Sequence, residues 1–237
     1  MRRQPAEVVP FEAFHQPLSP LFLDYLGGAA GVKPFLEGSF SLDGVFEAAE
    51  RTVAHPRSRD ALADALARQQ EQRGAPRAAE QARLLARPDS VAVVTGQQAV
   101  LFGGPLFVRH KALATLEVAR QLTERRGSPA VAVFWVASED HDFAEVRTAC
   151  VLDGSGAIRD FRYAPRVEPA GQPAFEIELD ETVERLVGEL GDTLPASPSR
   201  DEILGIARDS YRPGETLSGA FARLLSTFLP DLVVLDP

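Results

Sequence analysis

The sequence predicts an α/β fold, a parallel sheet preceded by a helical segment and followed by a small β-rich insertion. Three observations carry this. "SVAVVTG" at 90–96 and "AVAVFWVAS" at 130–138 are short, apolar, β-branched runs that read as buried strands. Between them, 105–126 has the spacing of a helix with a broad apolar surface. Strand, helix, strand in this span is a βαβ unit, whose strands run parallel through a right-handed crossover. A third strand-like run, Leu232 to Leu235 in "DLVVLDP", closes the sequence.

The elements follow in order. Residues 1–20 carry Pro5, Pro10, Pro17 and Pro20 and read as an extended arm pinned by Phe11, Phe14 and Leu18. From 21 to 88 the pattern is helical. Val45, Phe46, Ala49 and Val53 share a face behind a Ser41 cap, and a second helix from Ser58 to Gly74 repeats Leu62, Ala65 and Leu66. A third short helix, "APRAAEQARLLARPDS", breaks at Pro88. Pro105 suits the first turn of the crossover helix and Gly127 its stop. Beyond the second strand, "EVRTACVLDGSGAIRDFRYAP" predicts a strand, a tight "GSG" turn and a strand. "PAFEIELD" alternates like a further strand, and three amphipathic helices follow, the last capped near Glu215 or Thr216. The segments are therefore 1–88 (arm and helices), 89–150 (first βαβ half of the core), 151–197 (inserted β-rich connection) and 198–237 (helices and a strand returning to the core). A parallel strand normally leads into another helix, so the ending predicts a piece of a longer protein.

Composition narrows the function. The chain has 237 residues, a net charge of -9 and 45% hydrophobic residues. An acidic balance argues against nucleic-acid binding as the main activity, which needs clustered Lys and Arg. The single cysteine, Cys150, excludes an internal disulfide and a cysteine zinc cage, and reads as a small buried residue. Glu7 and Pro10 interrupt any signal-peptide core, and no run is apolar enough to span a bilayer. The expected location is the cytoplasm, with neither membrane nor nucleic acid as partner.

In open α/β sheets ligands bind beyond the carboxyl ends of the strands. Three ends can be named. At the first, Thr95, Gly96, Gln97 and Gln98 are followed by Gly103, Gly104 and Pro105. Gly96 allows a sharp turn, and the N–H groups of the glycine pair favour an anion. Gln97 and Gln98 can donate and accept, and Lys111 lies two helical turns on, within reach of a phosphate or carboxylate. The spacing is neither GxGxxG nor the P-loop, and a purely structural turn is the competing reading. At the second end, Glu139, Asp140, His141 and Asp142 set three carboxylates around one imidazole, suited to acid–base work or a divalent cation. The alternative is a helix N-terminus with Asp140 or Asp142 as its cap. No second histidine has a ligand spacing to His141, so no metal ligands are assigned. The third end is Asp236. Trp135, inside the second strand, reads first as core and second as a wall for a base or sugar.

"VVTGQQAVLFGGPLFVRHKALATLEVARQL" and "VAVFWVASEDHDFAEV" resemble the bacillithiol synthase family, as do the helical N-terminus, "YRPGETLSGAFARLL" and "LVVLDP". The resemblance covers essentially the whole chain. It implies a Rossmann-like core akin to nucleotidylyltransferases and class I aminoacyl-tRNA synthetases, with inserted connecting segments. It implies a ligase that joins L-cysteine to glucosaminyl-malate to form bacillithiol, a low-molecular-weight thiol. ATP would activate the cysteine carboxylate, with Mg²⁺ as a candidate companion. By position, Thr95, Gly96, Gln97, Gln98, Gly103, Gly104, Pro105 and Lys111 would line one half of the site, and Glu139, Asp140, His141 and Asp142 the other. Family members are longer and dimerise through a C-terminal coiled coil that this sequence does not include. Ala99 and Val100 depart from the turn expected after Gln98. The competing function is a non-catalytic fragment that binds a nucleotide or sugar-acid; a nucleotidylyltransferase-like enzyme with another substrate is a third.

Overall fold

A computed structural model describes residues 18–35, 38–55 and 57–237. The predicted arm anchors Phe11 and Phe14 lie outside the described residues. The chain divides into two compact units, 1–55 and 56–237.

The first unit holds α1 (Pro20–Leu26) and α2 (Leu42–Val53). Each begins at a serine whose hydroxyl accepts a backbone N–H, Ser19 from Phe22 and Ser41 from Gly44. The Ser41 cap is the one expected. A concavity of about 750 Å³ lined by Tyr25, Lys33, Phe40 and Arg51, among others, lies within this unit and contains none of the predicted site residues.

The second unit is built on a parallel sheet of order β1-β2-β5, from β1 (Val91–Gln97), β2 (Ala130–Val136) and β5 (Val233–Leu235). Val133 pairs with Val94 on one side and Val233 on the other. α3 (Asp60–Gln72) and α4 (Pro76–Leu84) cover one face, packing Leu66, Ala67, Ala79 and Ala82 on Val131, Val133 and Val233. These two helices thus belong with the sheet rather than with segment 18–55. α5 (Leu106–Arg126) packs against β1 and β2, starts just after Pro105 and stops at a left-handed Gly127, as its punctuation predicted. Phe134 meets Phe221 of α9 (Leu217–Phe228), whose N-cap is Thr216.

Short α6 (Phe143–Val146) follows β2 and leads into an antiparallel hairpin, β3 (Thr148–Leu152) and β4 (Ile158–Arg162). The Asp153 carboxylate takes the N–H groups of Ser155 and Ala157 and so fixes the "GSG" turn. The hairpin shares a second core with α7 (Thr182–Thr193), α8 (Arg200–Ser210) and α9, centred on Tyr163, Leu179 and Tyr211.

Several expectations are corrected here. Among the described residues β1 is covered on one face only: Val94 is 57% exposed, because α3 and α4 sit over β2 and β5. Trp135, on the same face as Val133, is 43% exposed and not core. Cys150 is exposed on the hairpin, where its thiol donates to an Asp160 carboxylate oxygen at 2.9 Å. Leu62, Leu106 and Leu113 face outward, while Val108, Ala112, Thr115, Ala119 and Leu122 are the buried face of α5. "PAFEIELD" is not a strand. It opens with one 3₁₀ turn, and its N–H groups go to loop carbonyls: Ala174 to Asp140 and Phe175 to Ser138. Its alternation still buries Ile177 and Leu179, and its only β pairing is one antiparallel bridge, Glu178 opposite Thr216, among the described residues.

Candidate functional site

The two polar blocks that end β1 and β2 are brought together by their side chains. β1 and β2 are adjacent and in register to their ends, Gln97 opposite Val136, and Ala137 N–H extends the ladder to the Gln97 carbonyl at 3.0 Å. Gln98 thereby meets the loop after β2. Its amide nitrogen donates to Asp140 at 2.9 Å and to Glu145 at 3.0 Å. Behind it, the Gln97 amide donates to the Gln98 carbonyl oxygen at 3.3 Å, and Lys111 Nζ donates to the Gln97 carbonyl oxygen at 3.0 Å. Lys111, Gln97 and Gln98 thus form one chain of hydrogen bonds ending on two carboxylates, Asp140 and Glu145.

The loop after β2 is shaped for this. Asp140 accepts the Asp142 N–H at 2.8 Å, and Asp142 caps α6 by accepting the Glu145 N–H at 3.1 Å. The cap reading is therefore realised for Asp142, while Asp140 points into the Gln98 amide. The N–H groups of Ala174 and Phe175 buttress the loop from behind through its carbonyls. Arg147, buried beneath α6, donates to the Tyr163 carbonyl at 2.7 Å, pairs with Glu168 and lies over the Phe143 ring. The Asp142 N–H and the Gln98 amide, with the nearby His141, hold the Asp140 carboxyl below the ordinary carboxylate range. Glu139 and His141 are exposed on the same loop. Ser138, immediately before them, is buried, with its hydroxyl unpartnered among the described residues.

The glycine loop has a different duty. Phe102, Gly103 and Gly104 all have positive φ, at 52°, 83° and 68°. The Gly103 N–H goes to the Val100 carbonyl and the Tyr211 hydroxyl, and the Gly104 N–H to the Leu101 carbonyl. A Cβ on Gly103 would lie 2.8 Å from Leu224, and one on Gly104 3.0 Å from Val100. Both N–H groups are thus spent inside the loop instead of on an anion, and the glycines serve tight packing. Tyr211, fully buried, also donates to the Val100 carbonyl at 3.3 Å and packs on Phe102. Gly96 is likewise required locally: a Cβ there would lie 2.7 Å from the Trp135 carbonyl oxygen. Pro105 is the N-cap of α5, and Thr95 lies opposite Phe134 in the sheet.

Asp236 is held at the end of β5. Its backbone is bonded by Gln69 and its carboxylate lies 3.6 Å from Arg73. No described contact joins it to the Gln98 cluster. Among the described residues, no group of three or more His, Cys, Asp or Glu has a metal-binding arrangement. Glu145 is the member that residue-by-residue reading left unassigned. It stands in the quoted "EDHDFAEV" block, five residues after Asp140, where the one-turn helix α6 folds it back.

The family model described as "Bacillithiol biosynthesis BshC, N-terminal Rossmann-like domain" matches residues 7–237. The chain belongs to this family. It is 35% identical over 221 residues to a protein of Salinibacter ruber and 36% identical over 220 residues to one of Koribacter versatilis, both named "Putative cysteine ligase BshC". Each alignment covers 92% of this chain and 40% of the relative, so the chain spans an N-terminal portion of the curated relatives it matches. A Bacillus licheniformis protein of the same name is 29% identical over 212 residues. The ligase name, bacillithiol biosynthesis and the Rossmann-like domain all agree with the resemblance read from the sequence.

Proposed function

We propose that the chain is the site-bearing N-terminal portion of a ligase that joins the carboxyl group of L-cysteine to the amine of glucosaminyl-malate. The observation that carries this is the Gln98 amide nitrogen set between Asp140 and Glu145, which unites the two blocks in one polar cluster. Amide formation needs an amine that has lost its proton. A carboxylate held below its ordinary pKa is ionised at neutral pH and suits binding of the ammonium form, while its lowered basicity makes it a weak proton acceptor. His141, exposed beside it, is the alternative acceptor. Lys111 is the cation nearest the cluster and suits a carboxylate or phosphate oxygen.

ATP would supply activation of the cysteine carboxylate. The glycine N–H groups are engaged within their loop, so they do not fit an anion clamp, and Lys111 is the residue that fits one. The carboxylates do not gather as a Mg²⁺ cage among the described residues.

The second reading is binding of a nucleotide or sugar-acid at the same cluster without turnover. One experiment separates the two. Cysteine, glucosaminyl-malate, ATP and Mg²⁺ are incubated with the 237-residue chain and with a form extended by the downstream part of a relative, and bacillithiol is sought by mass. Product from the extended form, lost in Asp140→Asn, supports the ligase reading. Saturable binding of glucosaminyl-malate or ATP with no product from either form supports the second.

A further inference from the structure

We propose that Gln98 is a positioning residue, and that the directed chain Lys111–Gln97–Gln98 holds Glu145 beside Asp140 as a second member of the site. The use of this pair in catalysis rests on the ligase reading above; its geometry and the test below do not.

The argument starts from the polarity of an amide, whose oxygen only accepts and whose nitrogen only donates. Lys111 has donors alone, so it fixes the Gln97 oxygen towards itself at 3.0 Å. The Gln97 nitrogen must then point away, and it donates to the Gln98 oxygen at 3.3 Å. That leaves the Gln98 nitrogen, with its two hydrogens, facing outward. The two hydrogens meet two carboxylates, Asp140 at 2.9 Å and Glu145 at 3.0 Å. A flip of either amide would set oxygen against oxygen or nitrogen against the ammonium. The cation at one end therefore dictates the orientation of the donor at the other.

Two carboxylates on one nitrogen repel each other, and a donor between them offsets this. Without it, Glu145 is free to swing into solvent from exposed α6. The other charged groups close to the pair are His141, Asp142 and Glu139 on the loop after β2, and Lys111 across from it on α5. All are within or beside the two blocks, so the chain is a local device. Asp140 is further fixed by the Asp142 N–H, while Glu145 depends on Gln98 alone for its carboxylate contact among the described residues. Glu145 is thus the more sensitive to the loss of Gln98.

The test is carbon-detected NMR titration of the Asp140 and Glu145 side-chain carboxyls in the 237-residue chain. Gln98→Ala is expected to raise the Asp140 midpoint, because a donor to the charged form is lost. Gln97→Leu keeps the Lys111 charge and breaks the chain. It is expected to move the Asp140 midpoint upward as well and to let the Glu145 side chain average over rotamers, with the sheet resonances of Val131 and Val133 unmoved. A shift in Lys111→Met without one in Gln97→Leu means simple charge attraction through space and overturns the proposal. Unmoved midpoints in Gln98→Ala overturn it as well. In the extended protein, Gln98→Ala should displace the pH profile of kcat and leave KM for cysteine near its original value. Failure of ligation with the NMR shifts intact would sink the ligase reading and leave the positioning chain standing.

Discussion

Two Gln–Gln pairs stand in this sequence, Gln69–Gln70 and Gln97–Gln98, and they do opposite work. The first pair lies on α3, and its amides act as a substitute strand. Gln70 accepts the Val234 N–H at 3.1 Å and donates to the Val234 carbonyl at 2.9 Å; Gln69 does the same for Asp236 at 3.0 and 2.6 Å. The outer edge of β5 is closed by side chains in the way a neighbouring strand would close it. The second pair bonds through its side chains only to other side chains, Lys111, Asp140 and Glu145. The same functional group is structural where backbone lies opposite, and available for chemistry where ionisable groups do. What faces an amide decides its role.

The strongest way to break this contrast is Gln70→Leu. The change keeps the volume, removes the acceptor of the buried Val234 N–H and leaves the Val234 carbonyl to Arg73 alone. A buried N–H left unmade costs about 1–3 kcal/mol, so the chain should lose about that much. At about 2–4 °C per kcal/mol for a domain of this size, a thermal melt should fall visibly. Gln98→Ala should stay within about 0.5 kcal/mol in the same melt, as a half-buried surface change does. Equal losses from the two would erase the distinction.

Tyr211→Phe comes next. The hydroxyl joins the Gly103 N–H and the Val100 carbonyl, and its loss leaves both weakened in a buried place. About 1–2 kcal/mol of stability should go, seen as a lower urea midpoint at unchanged slope. Its further value is positional, since the loop it holds begins at Gln97 and Gln98. If the glycine loop only supports the Gln pair, the extended protein with Tyr211→Phe should lose turnover less than one with Gln98→Ala, for which misplaced groups predict about 10- to 100-fold.

The contrast also explains what sequence could and could not reveal. The βαβ unit, the α5 boundaries at Pro105 and Gly127, the hairpin turn and the Thr216 cap were legible because each rests on local signals. So was the meeting of the two polar blocks, since adjacent parallel strands end side by side. The one-sided cover of β1 was not legible: a β-branched run reads alike whether helices lie over one face or two. Trp135 and Cys150 went the same way, because exposure is decided by neighbours far along the chain. Gln70 carries no local mark of its task 164 residues away at Val234. Glu145 stood in view within "EDHDFAEV", yet only the turn of α6 shows that it shares a nitrogen with Asp140.

The smallest effect expected is in the pH dependence of stability, and it isolates one end of the chain. Asp140 has its folded pKa lowered by the Asp142 N–H and the Gln98 amide. A lowered carboxyl contributes stability that is fully present above its unfolded value, about 3.9, and is lost as pH falls through the lower folded value. The contribution is modest because solvent reaches this half-exposed loop and screens the charges. Chemical unfolding from pH 6 to pH 2 should therefore give parallel curves for the wild-type chain and Asp140→Asn above about pH 5, with the gap closing below about pH 4. Gln98→Ala should close part of the gap at neutral pH, since it removes one of the two donors. Gln70→Leu should lower the whole curve without changing its shape, because its bonds do not titrate. A Gln70 variant that bent the curve, or a Gln98 variant that did not, would mean that the backbone-facing and carboxylate-facing pairs are energetically the same kind of contact.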